Sequence, residues 1–135
     1  MAVESDIDSK IVESKSDCVI VVADNCQDNL TLIGFILDAL KHKYYLATDG
    51  KTALDLVFKK QPDLVLLDII MPEMNGIEVN IYIRNNQATS HIPTLAITGL
   101  TEQEHITAIE NVGFNDYIIK PFLIEDLEAR LKRLL

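Results

Sequence analysis

The sequence has no long apolar run and no excess of basic residues, and each absence excludes a class of protein. No apolar stretch approaches the roughly 20 residues that a helix needs to cross a bilayer. The first 16 residues are polar and acidic, unlike a signal peptide. Twelve basic residues against 21 acidic ones give a formal net charge of -9, whereas binding to nucleic acid or to an anionic membrane requires a basic surface. We therefore expect a cytoplasmic protein that binds neither.

Cysteine is also scarce, since the chain has only Cys18 and Cys26. Cys18 opens an apolar run and Cys26 lies beyond its end, so an extended segment would separate them by roughly 20 Å or more. A disulfide requires Cα atoms within about 7 Å, and we expect two reduced thiols. A chain of 135 residues with 48% hydrophobic content can build one core without disulfides or a structural metal.

The composition changes near residue 17, which predicts two parts of unequal size. The segment from Met1 to Asp17 carries five acidic residues and two lysines, a composition typical of disorder. We expect residues 1–16 to form an acidic flexible tail and residues 17–135 to form a single domain.

Within that domain, short β-branched runs alternate with longer amphipathic segments. Continuous apolar runs indicate strands that are buried on both faces of a sheet. Alternation with helices predicts an α/β fold, namely a doubly wound five-stranded parallel sheet of flavodoxin-like order 2-1-3-4-5 with helices on both faces. The predicted strands cover residues 18–23, 44–48, 63–68, 93–98 and 116–119, and the predicted helices 27–41, 51–60, 76–85, 101–112 and 122–135.

Polar residues follow or end four of the predicted strands, namely Asp24, Asp68, Thr98 and Lys120. In open parallel sheets, sites form outside the carboxyl ends of the strands. Two carboxylates about 4 Å apart repel by roughly 4 kcal/mol at an effective dielectric near 20, so positive charge must compensate them. Lys120 supplies one charge, and Mg²⁺, which prefers oxygen ligands, would supply the rest. A carboxylate can act as a nucleophile toward phosphorus.

Four segments in this order, at residues 21–25, 66–76, 97–98 and 117–122, resemble the motifs of the CheY-like receiver domain of two-component response regulators. The resemblance covers nearly everything from residue 17 onward. It implies that Asp68 is the phosphoacceptor, and that Asp24, Asp68 and the backbone carbonyl of Ile70 bind Mg²⁺. It also implies that Thr98 and Lys120 contact the phosphoryl group and that the Lys120–Pro121 peptide is cis.

The function implied by the resemblance is that of a signalling switch rather than a conventional enzyme. A sensor histidine kinase or a phosphotransfer protein would phosphorylate Asp68, and the chain would catalyse only its own phosphotransfer and slow autodephosphorylation. Thr98 and Tyr117 match the switch residues. They would change the surface of the fourth helix, fifth strand and fifth helix, through which a downstream effector, or a second copy in a homodimer, would bind.

One position departs from the family pattern. Receivers usually carry two adjacent acidic residues after the first strand, and here the first of these is Ala23. We expect weaker Mg²⁺ binding, and a phosphorylation-independent pseudo-receiver that acts as an interaction module stays open as an alternative. Neither the second Asp of an aspartate-nucleophile phosphatase nor the phosphate loop of a flavin carrier follows the first strand.

Overall fold

Strands and helices alternate along the whole of residues 18–135, which are the residues that the computed structural model describes. The predicted tail at residues 1–16 lies outside them. No helix in the described part of the chain has the length and apolar character needed to cross a bilayer. The elements are β1 (Val19–Ala23), α1 (Gln27–Ala39), β2 (Lys43–Ala47), α2 (Gly50–Lys60), β3 (Leu64–Asp68), α3 (Gly76–Arg84), β4 (Thr94–Thr98), α4 (Gln103–Asn111), β5 (Asp116–Ile119) and α5 (Ile124–Leu134).

The five strands form one parallel sheet in the order β2-β1-β3-β4-β5, which confirms the predicted fold. Every residue of β3 and β4 is buried, as continuous apolar runs at the centre of a sheet require. Side chains alternate between two apolar layers. One layer includes the buried residues of α1 and α5, and the other includes those of α2, α3 and α4.

Two predicted helix starts were wrong by two residues. The helices expected from residues 101 and 122 begin at Gln103 and Ile124. The residues that precede them, Glu102 and Leu123, have extended backbone and form no side-chain capping hydrogen bond. Without a capping side chain, the sequence carries no local signal that fixes the first turn.

The start of α3, by contrast, is fixed tightly against the end of β3. Asn75 and Glu78 form a reciprocal capping box, and the Gly76 amide donates a hydrogen bond of 3.0 Å to the Ile69 carbonyl. A Cβ atom on Gly76 would overlap the carbonyl oxygen of Asp68 and lie 3.0 Å from its carbonyl carbon. Glycine therefore permits the close approach that holds the 69–75 loop beside Asp68.

We expect Gly76→Ala to lower the free energy of unfolding by about 2 kcal/mol or more, because the backbone would have to shift to accommodate the methyl group. Gly99→Ala is the matched control, since a Cβ atom there meets nothing within 4 Å, and we expect a change within about 0.5 kcal/mol. Urea denaturation of both variants measures the difference. Equal stabilities would show that this contact does not constrain the loop.

Candidate functional site

The carboxyl edge of the sheet gathers the polar side chains that the sequence singles out. Asp68 and Thr98 end β3 and β4, while Asp24 and Lys120 follow β1 and β5 directly. Parallel pairing with Ala23 opposite Leu67 brings Asp24 and Asp68 to the same level of the sheet. Asp24 and Thr98 are fully buried and Asp68 is 3% exposed, so the site lies in a poorly solvated recess.

Lys120 joins the two carboxylates. Its Nζ lies 3.3 Å from Asp24 Oδ2 and 3.1 Å from Asp68 Oδ2. Burial lowers the pKa of Lys120, but the carboxylates of Asp68 and Asp24 together outweigh that effect and raise it. The ammonium therefore stays charged, and one positive charge faces two negative ones.

The pKa of Asp68 is affected by this excess of negative charge. Burial, followed by repulsion from Asp24, raises the pKa of Asp68 to about 6, although Lys120 opposes both effects. Among residues 18–135, the second oxygen of Asp68, Oδ1, receives one hydrogen bond, a long one of 3.4 Å from the Ile70 amide. Asp68 thus keeps a weakly engaged oxygen and would gain from a further cation.

Asp24 is held by more donors than the sequence predicts. Its Oδ1 accepts a 2.8 Å hydrogen bond from the Cys26 amide, and its Oδ2 accepts a 3.2 Å hydrogen bond from the side chain of Asn29. The motif comparison does not include Asn29, which lies in the first turn of α1. Its spacing of five residues from a strand-end acid is the only signal that the sequence offers.

Thr98 lies beside Lys120 along the backbone, because the Lys120 amide donates a 2.7 Å hydrogen bond to the Thr98 carbonyl. The Thr98 hydroxyl accepts a hydrogen bond of 2.9 Å from the Leu100 amide. Thr98 therefore reaches the expected edge, with its hydroxyl engaged by the loop that leads to α4. The Lys120–Pro121 peptide is cis, as the resemblance implies.

Tyr117 does not join this polar group. It pairs with Ala96, two residues before the end of β4, and is half-buried against the layer that contains α2, α3 and α4. The side chain of Ile70, in contrast, is 57% exposed at the mouth of the site. Only the backbone carbonyl of Ile70 is a candidate ligand.

The donor set fits a magnesium ion. In the described residues, no group of three or more His, Cys, Asp and Glu gathers as a metal site, so a cation would rely on Asp24, Asp68, a backbone carbonyl and water. Mg²⁺ is commonly bound by one or two carboxylates while it keeps several waters. Burial raises the pKa of Asp68 and repulsion from Asp24 raises it further, and this surplus of negative charge favours such an ion.

Relatives of known sequence share most of this chain. It is 38% identical over 122 residues to a probable cyclic di-GMP phosphodiesterase of Vibrio cholerae, covering 89% of this chain and 27% of that protein. It is 38% identical over 112 residues to the response regulator ArlR of Staphylococcus saprophyticus, covering 81% of this chain and 50% of that protein. The chain thus spans half or less of the length of these curated relatives.

Solved structures show the same fold. The chemotaxis protein CheY4 of Vibrio cholerae matches with a TM-score of 0.83 and 26% identity, over 88% of this chain and 99% of that one. The receiver domain of a sensor histidine kinase from Pseudomonas aeruginosa, which has a magnesium ion coordinated in its active-site cleft, matches with a TM-score of 0.81 and 26% identity, over 87% and 97%. A sequence model of the response regulator receiver domain matches residues 20–132. The chain therefore belongs to the family of response regulator receiver domains.

Proposed function

We propose that the chain is a phosphoacceptor switch in a two-component phosphorelay, in which a sensor histidine kinase or a phosphotransfer protein phosphorylates Asp68. The observation that carries this proposal is the contact of one Lys120 ammonium with two buried carboxylates. The cytoplasmic location expected from the sequence is part of the proposal. So is the domain assignment, with residues 17–135 forming the receiver.

Asp68 supplies the nucleophile. A carboxylate oxygen of Asp68 attacks phosphorus as the P–N bond to the donor imidazole breaks, and the electron pair of that bond stays with the nitrogen, which takes up a proton. Oδ1 is the oxygen with the weaker hydrogen bond, 3.4 Å from the Ile70 amide, whereas Oδ2 is bound to Lys120. We therefore assign the attack to Oδ1.

Charge stabilisation comes from the groups around Asp68, since phosphoryl transfer requires mainly positioning and electrostatics. Asp24, Asp68 and the Ile70 carbonyl would hold Mg²⁺, which when bound offsets the charge of the phosphoryl oxygens. Lys120 already lies 3.1 Å from Asp68 and would contact a second phosphoryl oxygen. The chain thereby promotes its own phosphorylation and slow autodephosphorylation rather than the turnover of a separate substrate.

Thr98 would transmit the event to the surface. Its hydroxyl accepts a hydrogen bond from Leu100 at the start of the loop to α4, and turning that hydroxyl toward a phosphoryl oxygen would pull on the loop. Ile109 is the only residue of α4 that is fully buried, so little packing opposes a shift of this helix. Tyr117, packed on the same layer, would follow.

The surface that changes would be the one formed by α4, β5 and α5. A downstream effector would bind there, and a second copy of the chain is a further candidate partner. Phosphorylation of Asp68 would thereby shift the equilibrium between two conformations of this surface.

A second candidate function is a phosphorylation-independent interaction module. Ala23 favours it, because the side chain at the end of β1 is a methyl group with no exposed surface, packed within the apolar layer of α2, α3 and α4. The site therefore has one acid fewer to bind a cation than a receiver with two adjacent acids after the first strand. Phosphorylation with a small donor separates the two candidates.

Acetyl phosphate with Mg²⁺ is expected to add one phosphoryl group per chain, detected as an increase in intact mass. No adduct should form when the metal is chelated before acetyl phosphate is added. Asp68→Asn should abolish the adduct. Asp55→Asn is the matched control, because Asp55 is an exposed acid of α2 that pairs with Lys51. An unmodified wild-type protein would favour the interaction module, and a modified Asp68→Asn variant would place the acceptor elsewhere.

Metal-free Asp68 should destabilise the fold at neutral pH. Its pKa of about 6 lies above the ordinary 3.8, so the folded state binds a proton that the unfolded chain releases between about pH 4 and pH 6. Stability therefore falls as pH rises through this window. We expect Asp68→Asn to be more stable than wild type by about 1 to 3 kcal/mol at pH 7.5, with the difference vanishing below about pH 4. Urea titrations in chelator across this range measure it, and a pH-independent difference would contradict the assignment.

The coupling step makes a prediction for Thr98→Ala. Beryllium fluoride with Mg²⁺, a phosphoryl mimic, should shift the ring resonances of Tyr117 in wild type, and Thr98→Ala should bind the mimic but lose at least half of that shift. Thr98→Ser keeps the hydroxyl and should restore the shift. A full Tyr117 response in Thr98→Ala would remove Thr98 from the switch.

A further inference from the structure

The side-chain amide of Asn29 contacts the acidic site, although Asn29 lies on α1 and not at the end of a strand. Asn29 is half-buried, and its Nδ2 lies 3.2 Å from Asp24 Oδ2. That same oxygen is 3.3 Å from Lys120 Nζ. Asn29 and Lys120 therefore hold one oxygen of Asp24 between them.

The remaining oxygen of Asp24 is also held, because the Cys26 amide donates a 2.8 Å hydrogen bond to Oδ1. Three donors to a fully buried carboxylate fix both its position and its plane. Asn29 is the only one of the three that is a neutral side chain. Replacing it would leave the carboxylate on Lys120 and a single backbone amide.

Asn29 also faces open volume. With Lys120, Leu32, Pro121 and Phe122 it lines a surface pocket of about 310 Å³, which is large enough for several waters. A side-chain amide both donates and accepts hydrogen bonds. Asn29 uses the donor side of this amide toward Asp24.

The last residue of β1 offers no polar side chain. The side chain of Ala23 is fully buried in the apolar layer that contains α2, α3 and α4. It therefore adds neither a charge nor a hydrogen bond to the site. Asp24, Asp68 and Lys120 leave the site with one net negative charge. A cation bound there would depend on how Asp24 is oriented, and Asn29 is the neutral side chain that donates a hydrogen bond to Asp24.

We propose that Asn29 is a positioning residue of the Mg²⁺ site, where its side-chain N–H orients Asp24 as a ligand of the ion. This inference rests on the proposed function, because it assumes that Asp24 and Asp68 bind the ion. Loss of a group that holds a metal ligand in position typically weakens metal binding by about 10- to 100-fold. Asn29 thereby offsets part of the weakening expected from Ala23.

The test is calorimetric titration of the unphosphorylated protein with Mg²⁺, which reads metal affinity without any activity. We expect Asn29→Ala to bind Mg²⁺ about 10-fold more weakly than wild type. Asn25→Ala is the matched control, since Asn25 is exposed in the same loop, and its affinity should stay within about 2-fold. Equal affinities for wild type and Asn29→Ala would overturn the proposal.

Asn29→Gln separates the role in metal binding from a structural role in α1. It keeps a side-chain amide donor, so we expect it to bind Mg²⁺ more tightly than Asn29→Ala. A Gln variant as weak as the Ala variant would overturn the assignment of the amide donor. Thermal unfolding in chelator should show that all variants fold.

The same titration distinguishes this inference from the proposed function. If wild type binds no Mg²⁺ and is not phosphorylated by acetyl phosphate, the proposed function and the role of Asn29 fail together. If wild type binds Mg²⁺ and accepts phosphoryl while Asn29→Ala binds the ion equally well, only the role of Asn29 fails.

Discussion

The structure of the site depends on one electrostatic constraint, the placement of a single ammonium between two carboxylates that have almost no exposed surface. Lys120 lies within 3.3 Å of both Asp24 and Asp68, and it cannot neutralise both. Burial and then the charge of Asp24 raise the pKa of Asp68, and the remaining negative charge makes a divalent cation favourable at the same point. Asp24 and Asp68 repel each other, and they stay close together because the sheet holds them in place.

The fold imposes that placement through the order of its strands. Because β1 and β3 are adjacent and parallel, their two terminal acids share one edge, and β4 and β5 bring Thr98 and Lys120 to it. Gly76 lets α3 begin against the Asp68 carbonyl, which fixes the loop that carries Ile70. The Leu100 amide ties the Thr98 hydroxyl to the loop that leads to α4, a helix whose single buried residue is Ile109.

Much of this could be predicted from the sequence, because continuous β-branched runs mark the buried strands and the strand ends mark the site. Periodicity located all ten elements, but it could not place the starts of α4 and α5, where no capping side chain fixes the first turn. It also missed Asn29, since a contact between a helical amide and a strand-end acid depends on how α1 packs on the sheet. The magnitude of the Asp68 pKa shift likewise depends on three-dimensional burial.

The central claim is that Asp24, Asp68 and Lys120 form one site for Mg²⁺ and a phosphoryl group. The most direct measurement is the amide NMR spectrum of the protein with beryllium fluoride and Mg²⁺, added separately and then together. We expect saturable one-to-one shifts at Asp68, Thr98 and Lys120 that require both components and disappear in Asp24→Asn. Shifts that are absent, that need no Mg²⁺, or that cluster away from the carboxyl edge of the sheet would contradict the claim.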